Sequence, residues 1–375
     1  MHLKTFKKLL LCALTQLLLI HASAQTAALP ATDASQANDA ASATQHFPDT
    51  EWSQGDPVKM GWSTDRLADV KAYADRVGST SLMIVQHGVV VAQWGDTQAR
   101  TPLYSVRKSL LSALIGIAVA RHQIDLNETL AQLGIDDNAP SLSPLEQQAT
   151  VRELMEARSG VYHPTVYETP WMQEIKPERF SHAPGEFWCY NNWDFNTLGA
   201  IYEKAAGARI FDALEDEIAR PIGMQDFRPS DGHYVSGEPA SRYPAYPIRM
   251  SARDLARFAL LFLHDGRWRD RQIVPADWVR ESTHPYSDTP WGGYGYMWWT
   301  STPASAASET ATTRPIESYW ADGHLGQYAI VVPSLDLVIV NRVDPKMTSR
   351  RVDERKREQL VSLIEAAAGA SGAVK

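Results

Sequence analysis

Ser105-Val106-Arg107-Lys108 places a hydroxyl and an amine three residues apart, immediately ahead of the apolar run Leu110, Leu111, Leu114, Ile115 and Ala118. If that run is a helix, the two side chains share one face. A serine hydroxyl becomes a useful nucleophile when a neighbouring base takes its proton, and an amine with a depressed pKa can be that base. The start of the helix adds unpaired backbone N–H groups and a partial positive charge, which favour a neutral lysine and a developing oxyanion. The chemistry indicated is acyl transfer at a carbonyl.

Two further elements would complete it. Tyr190-Asn191-Asn192 offers a phenol that relays a proton to a leaving group if nearby cations lower its pKa. It also offers, at Asn192, an amide able to bind an amide substrate and the lysine. Asp322-Gly323-His324-Leu325-Gly326-Gln327 combines glycines that permit close backbone approach with entry into a strand. There the N–H of Gln327 can join that of Ser105 as an oxyanion hole, and His324 supplies a donor beside the nucleophile. Each donor of such a pair is typically worth ~2.7–4 kcal/mol.

The elements that must hold these groups are legible from pattern. Trp62–Val77 has helical spacing, with Ser63 as cap and Gly78 as stop. Ser81–Val85, His87-Gly88 and Val89–Trp94 read as a β-hairpin. Thr150-Val151-Arg152-Glu153 is a capping box for a helix ending near Ser159-Gly160. Further helices are expected over Trp193–Ala206, Ile210–Ala219 and Met250 to about His264. Tyr294–Thr300 reads as one aromatic strand, and Thr302–Thr313 as a small-residue loop. Gln327–Val332 and Leu337–Val343 form a second hairpin, and Arg351–Ala368 a closing amphipathic helix.

Strands thus stand in the early and late parts of the chain, with helices between them. The fold class is α/β of the α+β type. One antiparallel sheet is built from residues 48–104 and 286–375, flanked by helices, with a mostly helical domain, 105–285, inserted and the site at their junction.

The chain has 375 residues, 44% of them hydrophobic, enough for a substantial core. Net charge is −8, which argues against nucleic acid as a partner. Lys4, Lys7 and Lys8, the apolar Leu9–Ile20 and the small residues Ala22-Ser23-Ala24 read as a secretory signal over 1–24, followed by a flexible leader over 25–47. Cleavage would remove three lysines, taking the charge from −8 to −11 and leaving no membrane span. It would leave Cys189 alone, so no intrachain disulfide is expected. The expected location is the periplasm or the exterior.

Other chemistries fit less well. A Gly-x-Ser-x-Gly elbow is absent, and Gly61-Trp62-Ser63 lacks the closing glycine. The eleven histidines are scattered rather than spaced as metal ligands, so neither metal nor cofactor is expected. Trp171, Trp188, Trp291, Trp298, Trp299 and Trp320 are candidates either for an aromatic cleft wall or for core, and Tyr162, Tyr167 and Trp171 sit in a loop able to line a cleft.

The order Ser-x-x-Lys, Tyr-x-Asn, His-x-Gly resembles the serine β-lactamase and DD-peptidase superfamily. The likeness is to the Tyr-x-Asn branch, which holds class C β-lactamases, D-stereospecific peptidases, related carboxylesterases and 6-aminohexanoate-dimer hydrolases. Met250–Gly266, Gln272–Pro275 and Tyr294–Trp299 resemble that branch too, and the likeness spans about residues 55–365. It implies a β-lactamase/transpeptidase-like fold. By this resemblance Ser105 is the acylated nucleophile, Lys108 its base partner and Tyr190 a second acid or base. Asn192 contacts substrate and lysine, His324 and Gly326 match the third motif, and Gln327 the oxyanion strand. Where the β-lactamases carry a lysine, this chain has His324, mostly neutral at pH 7. That favours esters, small amides of the aminohexanoate type and D-peptides over β-lactams. The reading from another class is a cell-wall peptide sensor on the same fold that acylates without turnover.

Overall fold

The computed structural model describes residues 46–306 and 317–369. The expected signal, nearly all of the leader and the 307–313 part of the small-residue loop lie outside them. Helix α1, Thr64–Val77, is capped by the Ser63 side chain and stopped by Gly78 at φ 99°, a left-handed position that suits a residue without Cβ. The first hairpin follows: β1, Ser81–Gln86, and β2, Val89–Gly95. His87 and Gly88 between them have φ of 51° and 72°, the paired positive values of a two-residue hairpin turn.

Helix α2, Val106–Ala120, begins at Ser105 and is buried without interruption from Val106 to Ala118, as an all-round apolar helix must be. Helix α3 is Asn192–Ala206, with Asn191 capping it and Gly207 ending it. Helix α4 is Ala252–Leu263, capped by Ser251. Strands β3 (Ser287–Thr289), β4 (Gly292–Tyr294), β5 (Trp299–Thr300), β6 (Tyr319–Gly323), β7 (Gln327–Val332) and β8 (Leu337–Arg342) precede α5, Glu354–Ala368.

The eight strands form one sheet in the order β2-β1-β8-β7-β6-β5-β4-β3, antiparallel throughout. Strands from 81–95 and from 287–342 therefore share a sheet, the α/β arrangement read from the sequence. Every residue of β7 and β8 is buried, so both faces must be covered. Helix α4 packs across β8, β7 and β1, while α1 and α5 pack on each other. On the face opposite Tyr319, the Arg357 guanidinium of α5 sits 3.9 Å from the Trp320 ring centre. Helices α2 and α4, both within the stretch 105–285, pack directly on the sheet. No described helix is long and apolar enough to cross a membrane.

Three expectations are corrected. The Thr150 capping box is present, but its helix is only Val151–Met155. Ala157 takes a left-handed φ of 56° and turns the chain before Ser159. The helix over 210–219 is α-helical only to Ala213 and then widens to a π turn, Leu214–Ala219. Tyr294–Thr300 is not one strand. Gly295 N–H donates to the Trp298 carbonyl at 2.8 Å and Met297 has φ 62°, so the segment doubles back as β4 and β5. A Cβ at Gly295 would lie 2.2 Å from the Ser282 carbonyl oxygen, and the turn needs that close approach.

Candidate active site

Ser105 occupies the N-cap of α2 but caps nothing with its side chain. Its hydroxyl lies instead 2.7 Å from Lys108 Nζ, one helical turn on. Lys108 is 2% exposed. The same Nζ is 2.7 Å from the Tyr190 phenol oxygen, 82 positions away in sequence. It also stands 4.5 Å and 4.6 Å from the ring centres of Tyr190 and Phe195. A serine that merely ended a helix, followed by a solvated lysine, would show neither contact.

Burial sets the protonation states. It holds the Lys108 amine well below the ordinary lysine range, the neighbouring Arg107 charge pushes it further down, and Asp322 opposes. Burial drives the Tyr190 phenol up, against the smaller lowering effects of Ser105 and Arg107. The sequence suggested a phenol lowered by cations; desolvation of the phenolate outweighs that effect. Burial thus acts on both groups in the same sense, towards an uncharged amine and an uncharged phenol.

The cluster opens into a cavity of about 970 Å³. One wall is aromatic: Trp171, Trp291 and Trp299 line it together with Tyr190, with neighbouring ring centres 5.6–6.1 Å apart. Trp298 and Trp320 are core: Trp298 packs between Phe262 and Tyr319, and Trp320 lies under Arg357. Trp188 packs on Tyr294 and Trp299 behind the wall. Tyr167 also lines the cavity. Tyr162 instead is buried against His182, and the Cys189 thiol, pushed up to about 12 by burial, is free.

Asn192 is buried at the cavity wall. Its Nδ2 donates to the Tyr167 carbonyl at 2.8 Å, and its Oδ1 has no partner within the protein. The expected contact with the lysine is thus absent. The amide ties the Tyr167 backbone to the start of α3 and leaves one buried acceptor unpaired.

The turn between β6 and β7 closes the opposite side. Gly323, His324, Leu325 and Gly326 line the cavity. A Cβ on Gly323 would stand 2.3 Å from the Leu103 carbonyl oxygen, so this glycine brings β6 against the chain entering Ser105. His324 meets Tyr104 edge-on at 5.5 Å, and burial followed by Arg351 lowers its pKa, keeping it neutral. Gly326 has φ 105° and is pressed against Val352. Gln327 does not belong to the cavity wall. It pairs with Gly323 across the hairpin, and its side chain donates to the Val343 carbonyl and accepts from Arg342. The register assigns it to the sheet, at the mouth of the hairpin and off the cavity wall.

Sequence reasoning passed over Gly323 and Arg107 as site residues. Gly323 differs from its neighbours only in where the hairpin register puts it. Arg107 was visible inside the Ser-x-x-Lys segment, but nothing in spacing shows that it is buried.

Comparison with known proteins agrees with this architecture. The sequence profile of the family described as Beta-lactamase matches residues 64–360. An uncharacterised protein of Alkalihalophilus pseudofirmus is 21% identical over 272 residues, covering 65% of this chain and 73% of that one. Among solved structures, a candidate 6-aminohexanoate-dimer hydrolase from Bacillus anthracis superposes with a TM-score of 0.60 at 18% identity, covering 87% of this chain and 89% of that chain. A candidate β-lactamase from Bacteroides dorei gives 0.58 at 17% identity, covering 82% and 99%. At these identities the structures speak to fold. With nearly four-fifths of its length matched by the family profile, on the fold and around the Ser-x-x-Lys helix described above, the chain belongs to the beta-lactamase family.

Proposed function

We propose that this protein is an exported serine hydrolase that cleaves ester or amide bonds through an acyl-enzyme on Ser105. The observation that supports it most is the single buried amine 2.7 Å from both hydroxyls at the floor of a large cavity. Ser105 Oγ attacks the carbonyl carbon and its proton passes to Lys108 Nζ. The oxyanion is held by the Ser105 N–H and a backbone N–H of the 323–326 turn. Collapse breaks the bond to the leaving group, which takes the Tyr190 phenolic proton, and Lys108 reprotonates the phenolate. Water, deprotonated by the same pair, then releases the acyl group and restores Ser105.

Short-chain esters and small linear amides, including aminohexanoate oligomers, rank first as substrates. The neutral His324 and the aromatic wall support that order, as does the neighbour named for aminohexanoate dimers. D-amino-acid peptides follow, then β-lactams.

The test is labelling by a fluorophosphonate probe together with turnover of p-nitrophenyl esters, aminohexanoate oligomers, D-Ala-D-Ala peptides and nitrocefin. Ser105→Ala is expected to abolish both. Labelling or turnover that survives in this variant overturns the mechanism. An acyl-enzyme stable for hours would turn the reading into that of a cell-wall peptide sensor.

A further inference from the structure

Arg107 lies between the nucleophile and its base partner in sequence and is 4% exposed. A buried arginine is ordinarily saturated with carboxylate or carbonyl acceptors. This one has a single hydrogen bond from its side chain, Nη1 to the Tyr104 carbonyl at 3.0 Å. Nε and Nη2 are buried and have no partner within the protein. The guanidinium lies 5.0 Å from the centre of the Tyr246 ring, a face that tolerates a cation without neutralising it. Removing a buried charge from acid partners costs stability, and arginine, unlike lysine, cannot lose its proton to escape that cost.

We infer that Arg107 is a positioning residue: a permanent, uncompensated buried cation whose field keeps the adjoining Lys108 amine unprotonated and ready to accept the Ser105 proton. This rests on the acyl-enzyme reading above. The groups facing the pair agree with it. Lys108 is faced by Tyr190 from the loop before α3 and by Asp322 from β6, and Tyr294 of β4 stands beyond Tyr190. Asp322 is the acid among them, and burial raises it to about 7, with Arg357 opposing and Glu354 adding to the rise. It is therefore only part-ionised at neutral pH and offsets Arg107 weakly. Two cations side by side, one unable to discharge, leave the other to do so.

The clamp on Tyr104 is a separate effect. Tyr104 has φ 48°, and its carbonyl accepts from Arg107 Nη1. Arg107→Gln keeps a donor for that carbonyl and removes the charge; Arg107→Met removes both.

The experiment is the pH dependence of fluorophosphonate labelling and of p-nitrophenyl acetate turnover, measured on wild type, Ser105→Ala, Arg107→Gln and Arg107→Met, with melting temperature alongside. Both Arg107 variants are expected to have their acid limb moved up by about one unit, so that they are about tenfold slower than wild type at pH values well below both limbs and within about twofold of it at pH values well above them. Their melting temperatures should equal or exceed that of wild type, since an unpaired charge has been removed.

A loss equal at every pH, or a wild-type profile in Arg107→Gln, would assign Arg107 to holding Tyr104 and overturn the inference. A lowered melting temperature with an unmoved limb would make it structural. Labelling that survives Ser105→Ala would instead sink the acyl-enzyme reading itself.

Discussion

Two of the buried arginines of this molecule are held in opposite ways. Arg342, at the end of β8, is 1% exposed and saturated. Its Nε donates to Gln327 Oε1, its Nη1 to the Met250 carbonyl, and its Nη2 to the Thr101 carbonyl, the Thr101 hydroxyl and the Pro102 carbonyl. Burial still lowers it, to about 9, but the charge is shared among oxygen atoms that need a donor. It ties the sheet to the segments that flank Ser105. Arg107, also buried, has one such bond. The first is an arginine used as a polar rivet; the second is a charge left deliberately unbalanced beside an amine. The lesson is that burial alone does not mark a functional cation. What separates these two is the number of acceptors, five hydrogen bonds for Arg342 against one for Arg107.

The contrast can be broken by substitutions in each region. The largest effect is expected from Lys108→Met, with kcat/KM for p-nitrophenyl acetate falling about 10⁴-fold, the upper end for a positioned acid–base group. The melting temperature should hold or rise, because a poorly compensated amine leaves the interior. In wild type the sign follows from the lowered lysine: activity should be level above the depressed Lys108 titration and fall as pH drops through it. A limb in the ordinary lysine range would refute the assignment.

Arg342→Met should reverse the pattern. Stability in urea is expected to drop by about 3–5 kcal/mol, as when one member of a buried polar network is removed. Activity per folded molecule should stay within about tenfold. Equal damage to both properties would mean that the two regions are not separable.

Tyr190→Phe is the subtlest. Loss of a proton donor should cost about 10²-fold on an anilide and under about tenfold on a p-nitrophenyl ester, whose leaving group departs without a proton. Equal losses on both substrates would assign Tyr190 to positioning Lys108.

Much of the site was legible because it is local. Ser105 and Lys108 are one turn apart, so helical spacing alone brings them together, and caps at Ser63, Asn191 and Ser251 mark helix starts by a chemistry that acts over three residues. Tyr190 and the 323–326 turn could be proposed as motifs, but only the tertiary fold sets their distances. What escaped depends on turns and burial. Reading Tyr294–Thr300 as one strand hid the reversal at Met297, and with it the fate of two adjacent tryptophans: Trp299 faces the cavity and Trp298 the core. The place of Gln327 could not be read from spacing, because one step of hairpin register decides whether a residue lines the cavity or lies within the sheet. The direction of the Tyr190 shift needed knowledge of its burial, which residue types do not carry.

The pairing of β1 with β8 has a consequence for biosynthesis. Thr80 and Arg342, bonded to each other, are 262 positions apart, and four strands separate β8 from the sheet's far edge at β3. A ribosome therefore releases the nucleophile and its lysine long before it releases the strand that closes the sheet above them. Such distant pairings form slowly and late. Ser105 and Lys108 are therefore made well before the partner strands that complete the sheet, and the tertiary arrangement around them can form only after β8 exists.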